Sequence, residues 1–197
     1  MRAKLFVLMM GLVMFGWSTT AMAGAPTDFV KKKTEVVSKI MSKPDSRKRA
    51  KQLDAELKKV VDFRELANRS LGEHWTKATD AQKKQFLDLL QEMLEANYSK
   101  KLSGKKLNKD FKVAYDAEKT RGKQAIVKTR ILADGESKPV MYRLIQREKT
   151  WIAYDIVIDD ISLEETYRES YTKIIKKYGF DGLLNRMKKK AAQLRKG

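Results

Sequence analysis

Six carboxylates lie close together within residues 151–171, and their types and spacing first suggest acid–base or metal chemistry. The acids are Asp155, Asp159, Asp160, Glu164, Glu165 and Glu169. Two carboxylates that cleave a glycosidic bond as a pair must lie within about 10 Å of each other. In an extended strand, Asp155 and Asp159 would point to the same face but stand about 13 Å apart, at about 3.3 Å per residue. They therefore cannot form such a pair with each other.

The later acids have a structural explanation as turn and helix-start residues. In "SLEE", Ser162 can cap a helix that has Glu165 at its third position, which is the pattern of a capping box. Glu164 and Glu165 then lie in the first turn, where the helix dipole stabilises negative charge. Asp159 and Asp160 form the turn before the helix. A hard-cation site at Asp159, Asp160 and Glu164 stays open as an alternative, although the acid spacing of an EF-hand loop is missing. The first acid of the segment is left without an explanation.

Other catalytic chemistries lack the residues they need. The chain has one histidine, His74, and no cysteine, which excludes a disulfide framework, a thiolate zinc site and a lipid attached to cysteine. Neither G-x-S-x-G nor the phosphate-binding G-x-x-x-x-G-K-[ST] pattern occurs. The sequence predicts no metal and no cofactor. An enzyme that works with carboxylates and tyrosines in a pocket remains an alternative.

Helical periodicity extends over residues 27–102, where apolar residues recur three or four positions apart. The proline of "SKPDSRK" ends the first helix. Asp62 can cap a short helix that Gly72 closes. Thr79 and Gln82 form a capping box that opens the longest helix.

Strand periodicity follows, with apolar residues at alternate positions up to residue 158. Gly122, Asp134-Gly135 and "REKT" separate the runs, so neighbouring strands are expected to pair as antiparallel hairpins. In the fourth strand, regular alternation would place Ile152, Tyr154 and the next two alternate residues on one apolar face, with Asp155 on the other. The chain then returns to helix.

The pattern of the whole chain predicts an α+β domain in which about four antiparallel strands pack one face against helices. In the last helical region, Gly179 is expected to end one helix and Asp181 to start another. That helix finishes in the basic segment "RMKKKAAQLRKG".

The N-terminal residues 1–23 are interpreted as a secretory signal peptide that is removed. Arg2 and Lys4 precede an apolar run over residues 5–17, and Ala21-Met22-Ala23 has the small-x-small pattern of a cleavage site. The apolar run is shorter than the roughly 20 residues that span a membrane. Residues 24–197 are then a single domain, expected to be a monomer.

Excess positive charge predicts attraction to polyanions. The chain has 43 Lys and Arg against 25 acids, and loss of the signal peptide removes two cations and no acid. Nucleic acid and anionic lipid surfaces are the polyanions that such a charge attracts. Export favours the lipid surface, so no nucleic-acid partner is expected.

The remaining candidates for function are apolar and aromatic residues at helix and strand periodicity. Such stripes normally form a filled core. Aromatic rings that carry a polar group, however, also suit an apolar cavity whose opening is in contact with water. If the stripes line a ligand site, its lining comprises Phe63, Trp75, Phe86, Leu90, Met93, Leu94, Tyr98, Tyr115, Val127, Ile131, Tyr142, Leu144, Tyr154, Ile156, Ile158, Tyr167 and Tyr171.

Two long segments carry a resemblance to a known family. These are "VDFRELANRSLGEHWTKATDAQKKQFLDLLQEMLEANY" and "YRLIQREKTWIAYDIVIDDISLEETYRESYTKIIKKYGFDGLL". Their order and spacing are similar to those of the MlaC family, also called toluene-tolerance auxiliary proteins. The resemblance covers nearly all of the chain from Asp28 to Met187. One departure is Asp160, where the family is expected to have glycine.

The resemblance implies a fold, a cargo and partners. The fold would be a nuclear-transport-factor-two-like cone, in which a curved sheet and helices enclose an apolar cavity for phospholipid tails. The partners would be an inner-membrane ABC permease complex with its lipid-binding ring protein and an outer-membrane lipoprotein–porin complex, with the periplasm between them. Arg143 and Arg168 are candidates for the mouth or a docking surface. No chemical step is implied, and a hopanoid is the alternative cargo. Because the same fold also hosts small-molecule isomerases and dehydratases, such an enzyme is a second alternative. A structural adaptor with a filled core and no cavity is a third.

Overall fold

The computed structural model describes residues 24–44, 46–103 and 111–196, without the side chains of 97–103 and 196. The predicted signal peptide lies outside the described residues. Helices come first, then a sheet, then a last helix. The elements are α1 Ala25–Met41, α2 Arg47–Val60, α3 Phe63–Leu71, α4 Glu73–Lys77, α5 Asp80–Ser103, β1 Lys112–Arg121, β2 Gln124–Ala133, β3 Glu136–Arg147, β4 Thr150–Ile158, β5 Ile161–Ser162 and α6 Leu163–Lys196.

The helix starts confirm the capping predictions. Asp62 accepts a hydrogen bond from the Glu65 backbone N–H at 2.9 Å. At the start of α5, the Thr79 hydroxyl accepts from the Gln82 backbone N–H at 3.2 Å, and the Gln82 side chain accepts from the Thr79 N–H at 2.9 Å. These bonds satisfy backbone donors that have no partner within the helix, so the side chains of Asp62 and Thr79 determine where α3 and α5 begin.

The five strands form one antiparallel sheet in sequence order, β1-β2-β3-β4-β5. Two-residue loops join successive strands, since Arg121 pairs with Gln124, Ala133 with Glu136, Arg147 with Thr150 and Ile158 with Ile161. In the loop between β2 and β3, Asp134 and Gly135 have φ of 53° and 77°, as the type I′ turns of hairpins require. The fold is therefore the predicted α+β class, and its sheet is open and curved.

A β-bulge in β4 overturns the predicted alternation of that strand. Arg143 pairs with Asp155, but the next residue, Leu144, pairs with Ala153, so Tyr154 is the extra residue. The bulge moves Tyr154 out of the register of Ile156, and Ala153 joins the apolar face in its place. The expectation that alternate residues from Ile152 onward share one face is therefore wrong, because the period of two is broken at position 154.

The helices cover one face of the sheet and bury a single large apolar cluster with it. At the N-terminus of α1, the Glu118 carboxylate from β1 accepts hydrogen bonds from the Thr27 N–H at 2.9 Å and the Thr27 hydroxyl at 2.6 Å. This ties the first helix to the sheet across 91 residues of sequence. Among the described residues, no helix has the length and apolar character needed to cross a membrane.

The last helix is interrupted where the sequence predicted an end and a new start. Gly179 has φ 70° and ψ 177°, which is not helical, within α6. Asp181 follows, and its carboxylate accepts a hydrogen bond from the Gln82 side chain at 2.8 Å. The kink lets both halves of α6 pack on the cluster, because residues on either side of it, Tyr171 and Leu183, are buried there.

Candidate functional site: the apolar cluster

The candidate ligand-binding residues meet in one apolar cluster between the sheet and the helices. Helices α3 to α6 supply one wall and strands β1 to β4 the other. Those that are buried in the cluster are Trp75, Phe86, Leu90, Leu94, Val127, Leu144, Ile156 and Tyr171. Those that are partly buried against it are Phe63, Met93, Tyr115, Ile131, Tyr142 and Tyr167. Residues far apart in sequence therefore face a common interior.

Aromatic rings form the helical side of the cluster. Phe86 makes edge contacts with Trp75 and Tyr171, with ring centroids 6.0 and 5.5 Å apart. Tyr167 and Tyr171 lie one turn apart on α6, and their rings stack in parallel at 5.2 Å and 3°. Edge and stacked contacts of this kind add to the stabilisation from burial, so this part of the interior has a defined shape.

The phenol hydroxyl of Tyr171 is buried with no hydrogen-bond partner among the described side chains. Its side chain is only 5% exposed. Burial raises the pKa of Tyr171, and the neighbouring Tyr167 raises it further. The hydroxyl is therefore a neutral hydrogen-bond donor inside an apolar region.

Two candidate residues, Tyr154 and Ile158, lie outside the cluster. The Tyr98 side chain falls outside the described residues. Ile158 is 40% exposed at the end of β4. Tyr154 is buried but stands apart from the cluster, with the Arg69 guanidinium 4.1 Å from the centre of its ring. Burial raises the pKa of the Tyr154 hydroxyl.

A groove of about 460 Å³ opens between α1 and β1. Its α1 wall is polar, and its β1 floor is apolar. The lining residues are Lys31, Thr34, Glu35, Ser38, Lys39, Phe111, Val113 and Tyr115. Tyr115 also packs against the apolar cluster, and the Lys31 ammonium lies 5.4 Å from the centre of its ring. The groove thus shares Tyr115 with the cluster, and its rim carries both lysines and an acid.

The structure explains Asp155, which the sequence left without a role. This carboxylate is 1% exposed and lies on the face of β4 opposite Ile156. It accepts hydrogen bonds from the Ser162 hydroxyl at 2.8 Å and from the Glu164 N–H at 3.0 Å. The Arg143 guanidinium lies 3.2 Å away. Asp155 therefore holds β3, β4 and the start of α6 together.

The other acids of the segment serve the turn and the helix start. Asp159 and Asp160 have φ of 50° and 63° and form the two-residue loop before β5. Ser162 accepts a hydrogen bond from the Glu165 N–H at 3.1 Å, which confirms Ser162 as the helix cap of the predicted capping box. The Glu165 carboxylate pairs with Arg143 at 3.4 Å.

The alternative of a hard-cation site finds no support in the geometry. The Glu164 carboxylate pairs with Arg168. Within residues 24–44, 46–103 and 111–196, no group of three or more acids or histidines could hold a metal ion. The candidate residues Arg143 of β3 and Arg168 of α6 are both paired with acids, and neither belongs to the apolar cluster.

Sequence reasoning missed part of the cluster. Val30 of α1 and the second half of α6 also contribute buried residues, namely Leu183, Leu184 and Met187. Their helical spacing was visible in the sequence. Around Leu183, Leu184 and Met187 this signal is masked by basic residues, since a charged segment at a helix end is more often solvated than buried.

The structure defines a class of protein: an α+β domain whose curved antiparallel sheet and helices surround an apolar, aromatic-rich interior. Comparison with known proteins assigns the family. The family model for MlaC protein matches residues 31–189, so the chain belongs to the MlaC family.

Two relatives are informative. A structure of the phospholipid-binding protein from Ralstonia solanacearum, in complex with a phospholipid, is 25% identical and superimposes with a TM-score of 0.77 over 85% of this chain and 97% of that one. The intermembrane phospholipid transport system binding protein MlaC of Haemophilus influenzae is 24% identical over 144 residues, which are 70% of this chain. The match spans 66% of that relative's length, just under two thirds.

Proposed function

We propose that this protein is a carrier that holds the acyl chains of a phospholipid in the apolar cluster between sheet and helices. The observation that carries the proposal is the superposition on the Ralstonia protein, which covers 97% of a chain solved with a phospholipid. The buried aromatic and aliphatic residues of the cluster supply the apolar surroundings that acyl chains need.

Physical chemistry explains why a carrier is needed. Each methylene group moved from water to an apolar site gains about 0.8 kcal/mol, so two chains of about 16 carbons face a gross penalty in water of roughly 25 kcal/mol. Free diffusion of the lipid between two membranes is therefore negligible. A carrier works when uptake and release are nearly balanced, which favours an apolar lining with few obligatory polar contacts.

We infer that the protein works in the periplasm after removal of residues 1–23, as a monomer. It collects and delivers phospholipid between an inner-membrane ABC permease complex with its lipid-binding ring protein and an outer-membrane lipoprotein–porin complex. The name of the Haemophilus relative, an intermembrane phospholipid transport system binding protein, supports this role. Maintaining the lipid asymmetry of the outer membrane, and with it solvent tolerance, would follow.

The proposed function has no chemical step. A catalytic carboxylate must reach its substrate, whereas both oxygens of the buried Asp155 accept hydrogen bonds from the turn and the start of α6. Its position on the opposite face of β4 from Ile156 separates it from the proposed lipid. Asp155 is the acid that a catalytic mechanism would most readily use, and this arrangement supports a structural role for it.

Lipid uptake from vesicles tests the proposal. Delipidated protein is incubated with phospholipid vesicles, separated from them, extracted and analysed by mass spectrometry, alongside extracts of freshly purified protein. A bound diacyl phospholipid is expected. Protein that takes up no phospholipid would contradict the proposal, and a co-purified triterpenoid in its place would indicate a hopanoid carrier.

Two neighbouring residues of β2 provide a matched pair of variants. Ile131 packs against the cluster, whereas Leu132 is 36% exposed on the opposite face. A lysine at position 131 would place a charge beside the acyl chains, which is costly without a partner. Ile131→Lys is therefore expected to reduce phospholipid uptake severalfold, while Leu132→Lys retains it. Circular dichroism of both variants checks that the fold is kept.

A further inference from the structure

The Tyr171 side chain places a hydroxyl group inside the apolar cluster. Its hydroxyl is buried and has no hydrogen-bond partner among the described side chains. Its ring is held by the parallel stack on Tyr167 and the edge contact with Phe86. Position and direction of the hydroxyl are therefore set by packing, not by a hydrogen bond within the protein.

An unpaired buried hydroxyl costs free energy, because it loses its bonds to water and gains none in return. Phenylalanine at this position would keep the ring contacts with Phe86 and Tyr167 and avoid that cost. A tyrosine here is thus favourable only if something that enters the cluster accepts the hydrogen bond.

The surroundings of the hydroxyl restrict what can accept. The ring contacts of Tyr171 are aromatic, and an anion buried there without a cation would be costly. The pKa of Tyr171 is raised, first by burial and then by Tyr167, whereas a nearby cation would lower it. The acceptor is therefore a neutral oxygen. In a phospholipid, the neutral acceptor nearest the acyl chains is the ester carbonyl, since beyond it lie only methylene groups.

We propose that the Tyr171 hydroxyl donates a hydrogen bond to an ester carbonyl oxygen of the bound phospholipid, and so selects ester-linked lipids over lipids without that oxygen. This inference rests on the proposed function. Tyr167, one turn nearer the start of α6 and only partly buried, packs against the same ring. The stack thus holds the Tyr171 ring, and with it the hydroxyl, in a fixed position within the cluster.

A competition between ester and ether lipids tests the inference. Delipidated wild-type, Tyr171→Phe and Tyr178→Phe proteins are incubated with vesicles that contain equal amounts of diacyl and dialkyl phosphatidylglycerol of the same chain length. Mass spectrometry gives the ratio of the two lipids bound. The wild type is expected to favour the diester lipid roughly three- to tenfold, the value of one net hydrogen bond. Tyr171→Phe should bring the ratio to about one, and Tyr178→Phe, which removes the hydroxyl of an exposed tyrosine outside the cluster, should keep the preference.

The melting temperature of the lipid-free proteins provides a second measurement. Here Tyr171→Phe is expected to cause no loss, although it abolishes the preference for the ester lipid. Tyr171→Phe removes an unpaired buried hydroxyl and is expected to melt at or above the wild-type temperature. A lower melting temperature would show that the hydroxyl is satisfied within the protein, by a side chain or a trapped water, and would overturn the inference.

The remaining outcomes separate the two proposals. A wild type that binds both lipids equally, or variants at positions 171 and 178 that lose the preference to the same degree, would overturn the role of Tyr171 while leaving lipid carriage intact. A wild type that takes up neither lipid would refute the proposed function, and this inference with it.

Discussion

At the scale of single residues, Asp155 shows how burial converts a reactive group into a structural one. The carboxylate lies under the start of α6, where it accepts hydrogen bonds from Ser162 and Glu164 and faces the Arg143 guanidinium. Removing this buried carboxylate leaves the hydrogen-bond donors around it without an acceptor, which costs more than the net contribution of the bonds themselves.

We expect Asp155→Ala to lower the free energy of unfolding by about 2 to 4 kcal/mol. The Ser162 hydroxyl and the Glu164 N–H would lose their acceptor, and Arg143 would keep only its longer contact with Glu165 at 3.4 Å. Urea denaturation followed by circular dichroism gives the change. The matched control is Asp116→Ala, which removes an exposed partner of Arg130 and should leave the midpoint nearly unchanged. Equal midpoint shifts in the two variants would contradict the structural role of Asp155.

Asp54 of α2 is expected to reduce the stability of the folded protein at neutral pH, whereas Asp155 increases it. Its pKa is raised above 3.8, first by burial and then by the charge of Glu95. The folded protein therefore favours the protonated form, and ionisation of Asp54 reduces stability at neutral pH. Asp54→Asn should melt at a higher temperature than the wild type at pH 7. The difference should shrink as the pH falls through the raised pKa, because the wild-type carboxyl is then protonated as well.

Glu56 serves as the control for this measurement. A hydrogen bond from Lys59 is the main cause that lowers its pKa below 4.5, so its ionised form favours the folded state. Glu56→Gln should therefore melt slightly lower than the wild type at pH 7, and that deficit should disappear as the pH falls below 4.5. Calorimetry between pH 7 and pH 3 follows both variants, and a shift of the same sign in both would contradict the assignment.

At the scale of elements, local chemistry predicts most boundaries. Asp62, Thr79 and Ser162 begin their helices by bonds to residues three positions later, and such bonds can be anticipated from sequence because they are local. The bulge at Tyr154 could not be anticipated in this way. It arises from the pairing of β4 with β3 and the need to seat Asp155 beneath α6, which are contacts between distant parts of the chain.

The loop between β4 and β5 gives a prediction at this scale. Asp160 has φ 63° at the second position of a type I′ turn, where a side chain is strained and glycine is preferred. Asp160→Gly is expected to raise the free energy of unfolding by about 0.5 to 1 kcal/mol. Chemical denaturation measures the gain, and Asp160→Val at the same position should reduce stability.

The same change to glycine in a helix should have the opposite effect. Asp88 is exposed in α5 and pairs with Lys84 at 2.8 Å. In Asp88→Gly, the variant loses this pair and gains backbone freedom in the unfolded state, so its midpoint should fall. A gain in stability from glycine at both positions would show that backbone strain is not the reason for the effect at Asp160.

At the scale of the whole molecule, the sequence predicted which faces are apolar but not how they meet. Ile131, Phe86 and Tyr171 come from a strand and two helices and join one cluster because the kink at Gly179 and the curvature of the sheet bring them together. Those features depend on packing over the entire domain. The unpaired Tyr171 hydroxyl is likewise invisible in the sequence, because only the arrangement of its neighbours shows that it has no acceptor.

The net positive charge of the protein is unevenly distributed over its surface. The second half of α6 turns apolar residues inward and exposes a row of cations, among them Arg186, Lys188, Lys189 and Lys190. A lysine near an anionic membrane surface contributes about 1 kcal/mol of attraction. This attraction fades as the Debye length falls from about 30 Å at 0.01 M salt to about 8 Å at 0.15 M.

We therefore expect the protein to bind vesicles rich in phosphatidylglycerol at low salt and to dissociate from them as salt is raised. The double variant Lys189→Glu, Lys190→Glu reverses two charges in the exposed row and should weaken this binding more than tenfold at low salt. The control, Lys119→Glu with Lys128→Glu, makes the same change in net charge on exposed strand residues and should weaken it less. Cosedimentation at 0.01 M and 0.15 M salt measures both. Equal losses would show that overall charge, and not the α6 surface, directs the protein to the membrane.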